Sequence, residues 1–136
     1  MCFIKKAAKA ESFEIITLHE SGMRFTSEYE IVNKDGKAEV TQYQIRYSEG
    51  KDERVVDKQA VCETDEMLKL LNGCGITMWD GFHGKHPRGV KDGIMFRFKA
   101  KVNGNTEICA DGSQNFPKHY RDFTDGLYKI LNKEEK

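Results

Sequence analysis

Hydrophobic and polar residues alternate with a period of two along most of this chain, as they do in strands that have one buried face. The alternation is most regular in residues 94–102, where Phe96 and Phe98 share one face while Arg97 and Lys99 share the other. Residues 52–63 alternate least clearly, which favours a strand at the edge of a sheet. The segments with a strand pattern are residues 12–22, 23–31, 37–47, 52–63, 94–102 and 106–110.

The apolar period changes to that of an amphipathic helix in two places. Thr64 is predicted to cap the first helix and Gly73 to end it. Pro117 is predicted in the first turn of the second helix, which continues to near the end of the chain. The apolar residues at helical spacing are Met67, Leu68, Leu70 and Leu71 in the first helix, and Tyr120, Phe123, Leu127, Ile130 and Leu131 in the second.

Two turns predict the register of their strands. Asp35-Gly36 suits a two-residue hairpin, because both central positions of a type I′ turn require a positive φ. For the later hairpin, a three-residue loop over Asn103–Asn105 keeps the apolar residues of both strands on one face. The predicted pairs are Ile31 with Val40 and Phe98 with Ala110.

The apolar positions change parity after Val40 in the third strand segment. A simple ladder would turn Tyr43 away from the core. We therefore predict a β-bulge at Thr41-Gln42, which would place Tyr43 opposite Tyr29.

Together these elements predict an α+β domain, with an antiparallel sheet of about six strands built from hairpins, a short middle helix and a C-terminal helix. No repeat, low-complexity segment or proline-rich linker divides residues 1–136, so the prediction is a single domain. Residues 1–11 lack a clear pattern and are predicted to be an ambiguous or flexible start. Residues 133–136 are predicted to form a frayed tail.

The charges exclude some classes of function. The chain has 22 Lys and Arg residues and 22 Asp and Glu residues, and this zero net charge does not favour nucleic-acid binding. No apolar run is long enough for a membrane span or a secretory signal. This favours a cytoplasmic protein, although Cys2 beside the first methionine leaves a trimmed lipoprotein open. The four cysteines form no CxxC pair, which favours reduced thiols.

Residues 79–93, WDGFHGKHPRGVKDG, concentrate unusual chemistry in one predicted loop. The segment holds the only tryptophan and two of the four histidines, together with three other cationic residues. Trp79 and Phe82 are predicted to anchor the loop by burial. Asp92-Gly93 is predicted to form the turn into the next strand. With Pro117, these residues are the predicted structural anchors.

Three short segments resemble motifs of a known family: Met78–Phe82 (MWDGF), Lys91–Gly93 (KDG) and Ala110–Tyr120 (ADGSQNFPKHY). The pattern is similar to that of small uncharacterised bacterial proteins, some of them lipoprotein-like. These proteins share W-x-G-F, D-G and G-S-x-x-[FY]-P-x-x-[YF] motifs. The family has no established function, so the resemblance implies a shared framework and no reaction. Its loop after W-x-G-F is usually polar and near neutral, whereas this chain has HGKHPRGVK.

Two reactive arrangements are alternatives for this loop. In the first, Cys74 is a nucleophile, His83 or His86 is its base, and Asp80 orients the imidazole. In the second, Cys74, His83 and His86 bind a metal ion. The fourth metal ligand would then be Cys109, His119 or Asp80. The leading prediction includes no catalytic residue, metal or other cofactor.

The leading interpretation is an anion site. Lys85, Arg88 and Lys91, with His83 and His86 when protonated, lie among glycines whose backbone amides can approach a phosphate or carboxylate. Ser113 precedes the last helix, whose N-terminus also favours negative charge. Capping of the helix by Ser113 or Asn115 is the favoured explanation of these two residues. The predicted ligand-binding residues are His83, Lys85, His86, Arg88 and Ser113.

The sequence therefore predicts a non-enzymatic ligand-binding or interaction domain that uses the loop 79–93. Its partner is a small anionic ligand or a protein, and no nucleic acid is expected. The alternative is a small metalloprotein or a thiol enzyme that uses Cys74, His83 and His86.

Overall fold

The computed structural model describes residues 9–23, 25–91 and 93–133. Arg24 and Asp92 lie outside the described residues, as do Cys2 and the predicted tail beyond Lys133. In chain order, the strands and helices are β1 Phe13–Ser21, β2 Thr26–Lys34, β3 Lys37–Ser48, β4 Lys51–Glu63, α1 Thr64–Cys74, a 3₁₀ turn Ile76–Trp79, β5 His83–Gly84, β6 Met95–Val102, β7 Thr106–Ser113 and α2 Tyr120–Leu131.

The strands form one sheet in the order β4-β3-β2-β1-β6-β7-β5. All neighbours are antiparallel except β5 and β7, which are parallel. The α+β class with an antiparallel-rich sheet is confirmed, but the described residues form seven strands and not about six. The additional strand is β5, and two residues are too few to produce a detectable sequence period.

The helices cover one face of the sheet, which we call the inner face. Buried side chains of β1 and β6 form one core with Met67 and Leu71 of α1 and with Phe123 and Leu127 of α2. β6 shows the predicted alternation, because its even-numbered residues from Phe96 to Val102 are buried and its odd-numbered residues are exposed. The opposite, outer face therefore carries the polar side chains.

Both predicted hairpin registers are confirmed. Ile31 faces Val40 across β2 and β3, and Phe98 faces Ala110 across β6 and β7. Asp35 and Gly36 both have positive φ, at 47° and 78°, as their turn requires. Val102 pairs with Thr106, which leaves the three-residue loop between them.

The bulge predicted between β2 and β3 is wrong. Their pairing continues without a shift, so Tyr43 faces Glu28 and not Tyr29. The shift lies between β3 and β4, where β4 carries the extra residue Asp57. The outer face tolerates Tyr43 because the Arg54 guanidinium lies 3.8 Å from its ring centroid.

Both predicted boundaries of α1 shift. Thr64 is the first helical residue, and its hydroxyl donates to Asn33 Oδ1 at 2.7 Å and does not cap the helix. The helix continues past Gly73 to Cys74, and Gly75 ends it with a left-handed φ of 66°. Burial of Cys74 accounts for the extra residue, since it extends the apolar face that began at Met67. β4, the strand before this helix, lies at the edge of the sheet, as the weak alternation of residues 52–63 predicted.

α2 begins at Tyr120, later than Pro117 predicts. Pro117 lies in the preceding turn, where its carbonyl accepts from the Tyr120 amide at 3.1 Å, and His119 at the N-cap has a positive φ. Ser113 is the last residue of β7, and neither it nor Asn115 caps the helix. The five apolar residues predicted on the buried face of α2 are all buried.

Part of the predicted ambiguous start is held in place. The Asn72 side chain makes two hydrogen bonds to the backbone of Ala10, both at 2.9 Å. Asn103 Oδ1 accepts from the amides of Glu11 and Ser12. Residues 9–12 are therefore tied to α1 and to the β6–β7 loop.

Candidate functional site

The segment from Trp79 to Gly84 runs along the edge of β7 that does not pair with β6. The amides of Gly81 and Asp111 donate to the carbonyls of Cys109 and Phe82, at 2.9 and 3.1 Å. The Cys109 amide donates to Asp80 Oδ1 at 2.9 Å. Asp80 thus satisfies a backbone donor of β7, and β5 then pairs His83 with Asp111.

Trp79 has the contacts of a structural anchor. It is 2% exposed, and its ring lies 4.9 Å from Phe98 and 5.7 Å from Phe123, measured between centroids. Its indole N–H donates to the Lys118 carbonyl at 3.0 Å, which satisfies the polar edge of the buried ring. Phe82 is half-buried, with its ring 6.3 Å from that of Phe96.

Two facing glycines, one in β5 and one in β7, let the backbone at Asn115 pass close to both strands. Gly84 pairs with Gly112, and the Asn115 carbonyl oxygen lies 2.3 Å from the position that a Cβ would take at either residue. A side chain at either position would collide with this backbone oxygen. Gly93 is restricted in a similar way, because its Cβ position lies 2.7 Å from Gln114 Oε1.

A depression of about 400 Å³ opens where β1, β6, β7 and β5 meet. We call it the outer-face depression. Three of the four histidines of the chain line it, together with two cations and one carboxylate. These residues are His19, His83, His86, Lys85, Arg97 and Asp111.

Strand pairing aligns four of these side chains across the sheet. His19 of β1 pairs with Arg97 of β6, Arg97 with Asp111 of β7, and Asp111 with His83 of β5. His83 Nδ1 lies 2.6 Å from Asp111 Oδ1, where the carboxylate accepts the hydrogen bond. Among the ion pairs of the described residues, none includes Arg97.

His86 is held on both sides of its ring. Nε2 lies 2.6 Å from the Val90 carbonyl oxygen, and Nδ1 lies 2.7 Å from Ser113 Oγ. A carbonyl can only accept, so Nε2 must carry a hydrogen. In neutral His86, Nδ1 is then the acceptor, and the Ser113 hydroxyl donates to it.

The predicted ligand residues thus divide into two groups. His83, Lys85, His86 and Ser113 all line the outer-face depression. Arg88 is exposed in the turn that the Val90 amide closes onto Pro87, and it is not among the lining residues. The N-terminus of α2 lies elsewhere, since His119 and Lys118 line a second depression.

Sequence reasoning missed His19 and Arg97 as residues of the site. Both occupy outward positions of strands, and the alternation in residues 94–102 already placed Arg97 among the outward cations. The missing information was the strand order, which brings β1 next to β6 although 73 residues separate Ser21 from Met95.

Cys74 does not have the surroundings of a nucleophile. It lines the second depression with Met78, Trp79, Phe82 and Pro117, whereas His83 and His86 line the outer-face depression. The side chain is buried, and burial, with a smaller contribution from the charge of Asp122, raises the pKa of its thiol to about 11. A thiol at that pKa is protonated at neutral pH, which opposes the thiol-enzyme alternative.

The metal alternative also lacks a site. Within the described residues, no three His, Cys, Asp or Glu side chains lie where they could hold one metal ion. Cys74, His83 and His86 therefore do not form the predicted ligand set. Asp80 and Cys109 are two of the candidate fourth ligands. Asp80 Oδ1 instead accepts a hydrogen bond from the backbone amide of Cys109.

Comparison with family models, with curated proteins and with solved structures finds no match to this chain. The likeness to a bacterial family thus stays a prediction, and the case for a function depends on the residues themselves. In the part of the chain that the structure describes, no helix is long and apolar enough to cross a membrane.

Proposed function

We propose that this protein is a non-enzymatic ligand-binding domain that holds a small anion in the outer-face depression. The observation that carries the proposal is the convergence of Lys85, Arg97 and three histidines on one depression that contains a single carboxylate, Asp111. With neutral imidazoles, these side chains leave one net positive charge. Protonation of any histidine increases it.

The available hydrogen-bond donors support the same ligand class. Guanidinium and ammonium groups bind carboxylate or phosphate oxygens through charge-assisted hydrogen bonds. Each such bond contributes about 1.5–3 kcal/mol. Asp111 competes with an anion for these donors, but its Oδ1 already accepts from His83. This pair leaves Arg97 as the guanidinium available to an incoming oxyanion.

The size and position of the depression suit a small ligand. Its volume of about 400 Å³ lies at the small end of the range for small-molecule sites, roughly 300–1,000 Å³. It opens on the face of the sheet that the helices leave uncovered. The lining also includes Met95, which is 55% exposed and offers an apolar contact beside the charged groups.

Titration with sulfate tests the proposal, because sulfate keeps its charge across the neutral pH range. Arg97→Ala and Lys85→Ala should each weaken sulfate binding about tenfold or more, the equivalent of 1.4 kcal/mol or more. Since both side chains are exposed, the free energy of unfolding should change by less than about 0.5 kcal/mol. Isothermal titration calorimetry and urea denaturation measure the two quantities.

Lys101→Ala is the matched control for Arg97→Ala. Lys101 is an exposed outer-face cation of β6, the strand that holds Arg97, and it does not line the depression. It should bind sulfate like the wild type. Arg88→Ala should weaken binding less than Arg97→Ala. Equal losses in all four variants would point to nonspecific charge attraction, and a large loss of stability in Arg97→Ala would show a structural role.

A further inference from the structure

Ser113 and His86 form a donor relay whose direction depends on one proton. We infer that the outer-face depression binds its anion together with a proton, which His86 takes up so that the Ser113 hydroxyl can turn to the ligand. This inference rests on the proposed function, because it requires an anion in the depression. It adds the proton that accompanies the ligand and the pair of residues that couple the two.

The Val90 carbonyl determines which nitrogen of neutral His86 carries the hydrogen. It accepts from His86 Nε2 at 2.6 Å in either protonation state, which fixes the hydrogen on that nitrogen. In neutral His86, the hydrogen of Ser113 is used on Nδ1 at 2.7 Å. The serine oxygen then presents only lone pairs to the depression, and these repel an oxyanion.

Protonation reverses the bond between the two side chains. Protonated Nδ1 carries a hydrogen and donates it to Ser113 Oγ, while Nε2 still donates to Val90. The hydroxyl hydrogen of Ser113 is then free to donate to an oxygen of the anion. One proton enters from solvent, one hydroxyl rotates, and no covalent bond changes.

The charged groups around His86 set the direction of the coupling. Its own loop contributes Lys85, while Arg88 and Lys91 of that loop are exposed outside the lining. β5 contributes His83, and β6 contributes Arg97. β1 contributes His19, and β7 contributes the one carboxylate, Asp111, which His83 already engages. Among these described groups, cations outnumber carboxylates, so a bound anion supplies the negative charge that attracts the additional proton.

Linkage is reciprocal, so the proton must raise the affinity for the anion by the same factor as the anion raises the affinity for the proton. Sulfate should bind more tightly as the pH falls through the range in which histidine takes up a proton. One linked proton changes the dissociation constant by up to about tenfold per pH unit. The protein should take up protons when sulfate binds.

The experiment measures proton uptake by calorimetry in two cationic buffers with different ionisation enthalpies. Ser113→Ala removes the hydroxyl and should take up less than the wild type, by up to one proton per sulfate. Ser113→Thr keeps the hydroxyl and should retain the uptake. His19 and His83 are common to all three proteins, so the difference between the two variants belongs to residue 113.

Nitrogen NMR of the imidazoles gives a readout that needs no variant. His86 should be the Nε2–H tautomer at high pH. Sulfate should convert it to the doubly protonated form at a pH where the His86 imidazole is neutral in the absence of sulfate. An Nδ1–H tautomer, or equal proton uptake by wild type and Ser113→Ala, would overturn the relay while leaving the anion site standing. If the wild type bound no sulfate at high pH or at a pH where histidine is protonated, the proposed function would be overturned instead.

Discussion

The two depressions beside the loop both contain a histidine, but they differ in their other side chains. The second depression combines Cys74 and His119 with Trp79 and Phe82, and its thiol is buried with a raised pKa. The outer-face depression combines three histidines with Lys85 and Arg97, and its polar side chains are exposed or half-buried. Burial of Cys74 and Trp79 assigns them to the fold, whereas the exposed Lys85 and Arg97 side chains are available to a ligand.

The largest expected effect is the loss of Trp79 from the second depression. Trp79→Ala removes a buried indole that packs against Phe98 and Phe123, and it leaves the Lys118 carbonyl without its donor. It should lower the free energy of unfolding by about 3–5 kcal/mol. Urea denaturation measures this change.

Met78→Ala is its control, because the neighbouring Met78 side chain is 72% exposed. Its stability should stay within about 0.5 kcal/mol of the wild type. Similar losses in the two variants would mean that Trp79 does not anchor the loop.

A smaller effect is expected at the glycine pair next to the outer-face depression. Gly84→Ala places a Cβ 2.3 Å from the Asn115 carbonyl oxygen, so the backbone must move. Overpacking of this kind should cost about 3 kcal/mol and should weaken sulfate binding by displacing Lys85 and His86. Denaturation and calorimetry on the same sample separate the two losses.

Gly73→Ala is the matched control, since nothing lies within 4 Å of its Cβ position in α1. Replacement of a helical glycine by alanine should stabilise the protein by up to about 1 kcal/mol. If Gly84→Ala behaved like Gly73→Ala, the close crossing at Asn115 would be disproved.

The smallest of these effects is the pH dependence contributed by Cys74. Its pKa is raised from 9.0 to about 11 in the folded protein, so the protonated thiol stabilises the fold. This stabilisation is complete below pH 9 and is lost as the pH rises towards 11. The full change corresponds to at most about 2.7 kcal/mol.

The difference in unfolding free energy between wild type and Cys74→Ala should therefore narrow between pH 9 and pH 11. Tyrosines with raised pKa values titrate in both proteins, so subtraction removes their contribution. A constant difference would show that Cys74 is accessible to solvent, and the contrast between the two depressions would weaken.

Local patterns predicted the hairpins and the buried faces well, because they depend on neighbouring residues. Asp35-Gly36 determines one register, and the alternation around Phe98 predicts which side of β6 is buried. The predicted bulge failed because Tyr43 is stabilised on the outer face by Arg54, a contact with another strand. The predicted start of α1 shifted for a similar reason, because the Thr64 hydroxyl donates a hydrogen bond to Asn33 of strand β2.

The candidate site was only partly predictable. The loop HGKHPR was identified from its own composition, but His19 and Arg97 reach it only through the order of strands in the sheet. The pairing of Gly84 with Gly112 likewise depends on β5, which is too short to recognise by period. Contacts between distant segments carry this information, and no local pattern contains it.

The backbone contacts of Trp79 to Gly84 have a consequence for self-association. An open strand edge offers unpaired amides and carbonyls to another chain, and it favours aggregation. Here the amides of Cys109 and Asp111 and the carbonyl of Cys109 are all occupied by this segment. Variants that detach the segment should therefore form oligomers through β7, so the loop proposed to bind an anion also protects this edge of the sheet.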